Sequence, residues 1–455
     1  MAKDFSALRA LSPVFRYVSF AATQSAGEIV LRYQFSIPGL ANFAPTIRIS
    51  TAQLTLLRSL DDPIAQRMVF SLGLAEAVSY WKCACPPSVQ VLCGGLGESD
   101  DHFWRTLWYH GLGEFFHRNG IQTNYADFVH FDAPAHTAPP PNVPPCATPL
   151  RLIPIGGGKD SCVSLHLLRH EHAHNRLFTI NDQPARTDCI RAAGYADTDV
   201  VRCYRTIDPE LLRLNRAGYL NGHTPFSAVT AFLSVLCAYL IGADEVVLSN
   251  ESSANEASVA GTDINHQYSK SVRFERDFRD YCARNFGSAA EYYSLLRPFN
   301  ELQIAAQFSA LPQFHRVFRS CNVGSKTNVW CGQCGKCLFT FGMLSAFLPP
   351  EKVTDIFGKN LLADPALLPD FAGLLGLTDT KPFECVGTTG EFAAAMTLTL
   401  PRYEGALPPL LRVFQERVGA VDPTIYLAER NPEHFVPPAQ LPALEEMFRH
   451  ATQFC

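Results

Sequence analysis

The sequence has no apolar run long enough to span a membrane, which takes about 20 residues; the nearest, residues 228–241, is shorter and has a helical pattern. Basic charge is not in excess. The 38 Lys and Arg against 43 Asp and Glu give a net charge of −5 and a pI near 6.3, so no general nucleic-acid or membrane-surface footprint exists. The first residues, Met1 to Ser6, lack the basic-then-apolar layout of a signal peptide. No internal repeat is visible. The 15 cysteines are odd in number and unevenly clustered, which argues against a disulfide framework in a chain this long. The expected compartment is the cytoplasm. With 47% apolar and 18% charged residues, the composition is that of an ordinary globular protein.

At 455 residues the chain is too long for one core and suggests two or three domains. Residues 1–132 read as an α+β amino-terminal domain. Phe15 to Phe20 and Glu28 to Ile37 are strand-like, and the Gln24-Ser25-Ala26-Gly27 link suggests an antiparallel hairpin. A helix is expected from Pro63 to about Lys82, and another holding Trp104, Trp108, Tyr109, Phe115 and Phe116. Such an aromatic stripe reads as core rather than as a ligand box. Cys83 and Cys85, flanked by prolines, read as bland. Residues 133–149 are proline-dense and almost uncharged, a stiff linker.

From Arg151 strand and helix signals alternate, which predicts a parallel sheet covered by helices. The strands are expected at 152–155, 177–180, 200–204 and 245–249, with a helix over 225–241. Ligands of such sheets bind beyond the carboxyl ends of the strands. At the first of these ends stand Gly156, Gly157, Gly158, Lys159, Asp160 and Ser161. Glycines let backbone approach a ligand closely, and the following helix start favours an anion such as a nucleotide phosphate. A Walker A loop is excluded, because its first glycine would fall at Ile153 and Asp160 follows Lys159. The dinucleotide fingerprint also fails, with Ser161 where its third glycine belongs.

The loop after the fourth strand carries Asn250, Glu251, Asn255 and Glu256 and runs on to His266, Lys270 and Arg273. Facing the glycine turn, these polar groups would bind a polar substrate or position magnesium, with Lys270 and Arg273 compensating phosphate charge. Cys321, Cys331, Cys334 and Cys337 form a Cys-x9-Cys-x2-Cys-x2-Cys pattern. Four thiolates at these spacings can converge on one zinc, and a closed four-ligand set is structural rather than catalytic; an iron–sulfur cluster is the lesser alternative. Residues 346–455 read as mostly helical after Lys381-Pro382-Phe383-Glu384-Cys385-Val386-Gly387.

Gly157, Gly158, Asp160 and Ser161 resemble the Ser-Gly-Gly-x-Asp-Ser loop of the PP-loop ATP pyrophosphatases, with Gly156 in place of the leading serine. The resemblance implies an α/β core of the adenine nucleotide alpha hydrolase type over 150–345, ending in the four-cysteine site. It also implies ATP and Mg2+ as cofactors, and an adenine contact at the backbone of Thr179 and Ile180. The cysteine tetrad is similar to that of the 7-cyano-7-deazaguanine synthases. Together with the Asn250 loop and the 381–387 patch, the whole chain resembles the ATP-dependent UDP-N-acetylmuramoyl-L-alanyl-L-glutamate epimerases. That resemblance implies a small UDP-muramoyl dipeptide substrate, adenylation at Asp160 and Ser161 with loss of AMP and diphosphate, and a Cα base among Cys385, Glu384, His223 and Glu251. Two alternatives stay open: another PP-loop enzyme, making a deazaguanine nitrile or thiolating tRNA, and a non-enzymatic zinc-binding interaction module. Neither a nucleic-acid nor a membrane partner is expected, and the oligomeric state is left open.

Overall fold

The computed structural model describes residues 4–138, 140–144, 149–259, 261–262, 264–287 and 289–455. Positions 139 and 145–148 of the expected linker lie outside the described residues, as do the first three residues of the amino terminus.

The strands are β1 (Val14–Ser25), β2 (Glu28–Ile37), β3 (Ala41–Phe43), β4 (Thr46–Ser50), β5 (Ser88–Val91), β6 (His130–Asp132), β7 (Arg151–Pro154), β8 (Asn175–Ile180), β9 (Val200–Thr206), β10 (Glu245–Leu248) and β11 (Glu291–Ser294). They form one mixed sheet in the order β11-β10-β7-β8-β9-β4-β2-β1-β5-β6, with β3 beside β2. β7 to β11 pair in parallel among themselves. β1 and β2 form the expected hairpin, closed by Gly27 at φ +87°. Every second residue of β2, from Ile29 to Ile37, is buried, the signature of a sheet with one face on the core.

The expected division at 133–149 is corrected by β4, which pairs antiparallel with β9, Ile47 opposite Arg205. Strands from both sides of the proline-dense stretch therefore share one sheet. The short β4 alternates Ile47 and Ile49 inward with Arg48 outward, and its free edge finds a partner in β9. The aromatic stripe is core, with Trp104 and Trp108 fully buried. It is two helices rather than one, Glu98–Gly111 and Gly113–Asn119, because Leu112 at φ −106° and ψ 13° leaves the helical well.

The parallel strands are buried on both faces. Leu152, Phe178 and Val246 face a first core with helices Pro63–Trp81, Phe226–Ile241 and Val272–Phe286. Their neighbours Ile153, Leu177 and Val247 face a second, built with Glu301–Ser309, Gly335–Ser345, Thr389–Thr399 and Leu441–Thr452. The mostly helical segment 346–455 thus covers the second face of the sheet. Its 381–387 stretch returns to the carboxyl ends of the parallel strands, where the Lys381 N–H donates to Ser258 O at 3.0 Å.

Candidate active site

β7 delivers the chain into the glycine turn, and helix Lys159–Leu167 leaves it. Gly157 sits at φ +80°, and a Cβ there would lie 3.0 Å from the Arg186 backbone nitrogen. Its carbonyl accepts from the Arg319 N–H at 2.8 Å, so the turn is clamped from two sides. A Cβ on Gly156 would meet nothing within 4 Å. The turn opens onto a cavity of about 560 Å³ lined by Gly156, Gly158, Asp160 and Ser161, with Ile180 and Asn250 from neighbouring strand ends. Lys270, Lys336 and Cys385 line the same space.

Across the cavity Lys270 Nζ lies 3.1 Å from Cys385 Sγ. His266 Nδ1 meets Glu114 Oε2 at 2.5 Å and the ring also hydrogen-bonds Cys385. Burial pushes the Cys385 thiol up, but Lys270 and His266 overcome it and bring it down to about 5. Burial disfavours a charged His266, yet Cys385 and Glu114 raise it to about 9. His223, with its ring centroid 4.4 Å from that of His266, is pushed down to about 3 by burial and by His266 itself. The arrangement is a thiolate–imidazolium pair backed by a carboxylate, with an ammonium on the thiolate.

Residues 7–295 match the MurL N-terminal domain, and residues 316–424 match the MurL C-terminal domain. The UDP-N-acetyl-alpha-D-muramoyl-L-alanyl-L-glutamate epimerase of Xanthomonas oryzae pv. oryzae is 36% identical over 442 residues, 93% of this chain and 95% of the relative. The enzyme of the same name from Micromonospora sp. is 34% identical over 432 residues, covering 93% and 94%. That from Salinispora tropica is 36% identical over 394 residues, covering 84% of each. The chain belongs to the MurL epimerase family.

In this MurL family member the first matched domain spans both the amino-terminal strands and the glycine turn, as the continuous sheet does. The cysteine tetrad closes on itself: Sγ separations are 3.4 Å for Cys321–Cys331, 3.5 Å for Cys331–Cys337 and 3.7 Å for Cys334–Cys321. A tetrahedron with zinc–sulfur bonds of about 2.3 Å has edges of about 3.8 Å, so the four thiols fit zinc. The tetrad abuts the turn, because a Cβ on Gly158 would lie 3.1 Å from Ser320 Oγ, next to Cys321.

Asp160, Glu251 and Glu301 bring three carboxylate oxygens within 4.8 Å of one another, a hard-oxygen set that suits Mg2+. Lys159 is a correction to the sequence reading. Its ammonium is buried between Asp160 and Glu301 and does not face the cavity. Even with that partner, burial and the neighbouring Asp160 and Glu251 push Glu301 up to about 7.

Other expected contacts are also redistributed. Thr179 is buried and its hydroxyl has no hydrogen-bond partner among the described residues, while Ile180 reaches the cavity. Arg273 is exposed on helix Val272–Phe286 and is not one of the lining residues, because its neighbours Val272 and Phe274 take the inward positions. Asn255 accepts from the Val272 N–H at 3.0 Å, and Glu256 pairs with Lys381, so both brace loops. Glu384 lines a separate cleft of about 420 Å³ with Arg118 and Lys381. Glu114, Glu301 and Lys336 were not singled out from the sequence as site residues. Glu114 had a signal, a carboxylate set among aromatic core residues; Glu301 reads as the first-turn acid of a helix capped by Asn300.

Proposed function

We propose that the chain inverts the terminal L-glutamate of UDP-N-acetylmuramoyl-L-alanyl-L-glutamate to D-glutamate, consuming ATP to AMP and diphosphate, in cytoplasmic synthesis of peptidoglycan precursors. The names of the full-length relatives support the substrate and the inversion. The single observation that carries the mechanism is that one cavity joins the glycine turn to Cys385. An anion held at the turn and a carbon to be deprotonated would lie within the same enclosure.

The chemistry explains why both halves are needed. A free α-carboxylate resists loss of its Cα proton because the product would be a dianion. Adenylating that carboxylate removes the charge and leaves a carbonyl able to delocalise the carbanion. On this PP-loop reading the Gly157 and Gly158 backbone and the start of helix Lys159–Leu167 hold phosphate. Lys270 and Lys336, both lining the cavity, offset charge on departing diphosphate. Magnesium at Asp160, with Glu251 and Glu301 behind it, supplies further charge neutralisation when bound. Zinc at the tetrad would hold the 319–321 segment against the turn. Ile180 offers the apolar wall at the strand end where adenine is expected. The Cα base is drawn from Cys385, Glu384, His223 and Glu251.

The test is one incubation with ATP, Mg2+ and the UDP-muramoyl dipeptide, quantifying AMP and assigning the glutamate configuration after hydrolysis by chiral chromatography. The expected result is AMP together with D-glutamate, both lost in Asp160→Ala by about 10²-fold or more. AMP absent and glutamate still L would sink the reading.

A further inference from the structure

The geometry points to Cys385 as the group that exchanges the Cα proton of the terminal glutamate on one face, with Lys270, His266 and Glu114 as its positioning residues. This inference rests on the epimerase reading of the same cavity. Of the four candidate bases, Cys385 alone lines that cavity among the described residues. Glu384 lines the neighbouring cleft and accepts from Asn322 Nδ2, a residue of the cavity wall, at 3.4 Å. Glu251 is buried within the carboxylate set, and His223 stands behind His266.

The cluster is arranged to hold a thiolate. Lys270 Nζ sits 3.1 Å from the sulfur. Nδ1 of His266 is taken by Glu114, and the same ring hydrogen-bonds Cys385. A ring bonded to a carboxylate on one side and a thiolate on the other is best protonated, donating to both. Lys336 adds a third positive charge toward the sulfur, and Glu384 is the opposing acid beside it. The thiol is thereby brought to about 5, so it is ionised at neutral pH. Glu114, His223 and His266 also lie close enough to share a cation. The 2.5 Å contact between Glu114 and His266 is a hydrogen-bond length, however, and Arg118 already pairs with Glu114.

The step balances simply. The thiolate takes the proton, the C–H electron pair passes into the adenylated carbonyl, and Cys385 becomes a thiol. A solvent-derived proton added to the opposite face completes inversion, and the thiol returns its proton to solvent.

The experiment runs the reaction in D2O with ATP, Mg2+ and the UDP-muramoyl dipeptide, measuring AMP and deuterium at the glutamate Cα by mass spectrometry. In Cys385→Ala, deuterium entry should fall by about 10²- to 10⁴-fold, while AMP formation falls far less. Exchange within about threefold of wild type would overturn the inference and leave the epimerase reading standing; the margin is far below the effect of a proton-transfer group. Loss of AMP equal to loss of exchange, in both Cys385→Ala and Cys385→Ser with native circular dichroism, would assign the thiol to adenylation and overturn it too. Wild-type protein that makes no AMP would overturn both readings.

A second measurement needs no substrate: alkylation of Cys385 by iodoacetamide, followed by peptide mapping across pH. The rate should reach half its plateau near pH 5 in wild type. In Glu114→Gln and His266→Asn it should move toward the ordinary thiol value of about 8.5. A wild-type midpoint already at that ordinary value would overturn the proposal.

Discussion

The glycine turn takes its residues from one continuous stretch, 156–161, whereas the cluster around Cys385 gathers Glu114, His223, His266 and Lys270 from distant parts of the chain. The turn is mostly a matter of backbone: Gly157 at φ +80° and the helix that follows dictate where the backbone N–H groups of the turn point. The cluster is a matter of distance between charges. A single glycine substitution can spoil the first without touching the second. The second can be retuned from Glu114, which contacts the thiol only through His266. The cysteine tetrad is intermediate, contiguous in sequence but braced against the turn through residues 319–320.

Four substitutions would break or sharpen that contrast. The largest effect is expected from Cys334→Ser, which removes one of the four thiols proposed to hold zinc. Zinc measured by atomic emission should fall from about one ion per chain to near none. Full retention of metal would place it elsewhere. Next comes Lys159→Met. It leaves Glu301 buried beside Asp160 without its ammonium and should cost about 3–5 kcal/mol in denaturant unfolding. A loss under about 1 kcal/mol, the range of exposed pairs, would show that the turn does not depend on this buried pair. The smallest effects separate two adjacent glycines. Gly157→Ala forces a side chain into the left-handed region and against the Arg186 nitrogen, and should cost about 1–2 kcal/mol. Gly156→Ser enters open space and should change stability by no more than about 0.5 kcal/mol. Equal melting temperatures for the two variants would refute the local account of the turn.

Much of the fold was legible. Four of the five strands β7 to β11 stand out as short, mostly apolar runs and lie where expected, because a strand buried on both faces needs a mostly apolar sequence. The hairpin and the long buried helices were legible for the same local reasons. β4 and β11 were not, being strands of five and four residues whose role comes from their partners. The pairing of β4 with β9 joins two expected domains into one sheet, and residues Thr46 and Thr206 carry no mark of each other. Within the site, Lys159 illustrates the limit of reading by motif. It stands in the turn, yet the acid it pairs with, Glu301, is supplied by a helix on the second face of the sheet.

The sequence by itself determined the local parts: the glycines that admit the turn, the helix start beside them and the four thiols at ligand spacing. Tertiary structure decided how far the thiols outside the tetrad are pushed up or down. Cys83, Cys85 and Cys385 cannot be told apart by residue type, yet burial raises the first two, while Lys270 and His266 lower the third. The physical reason is that an acid's ionisation follows the charges within a few ångströms of it, and only the folded chain sets those distances.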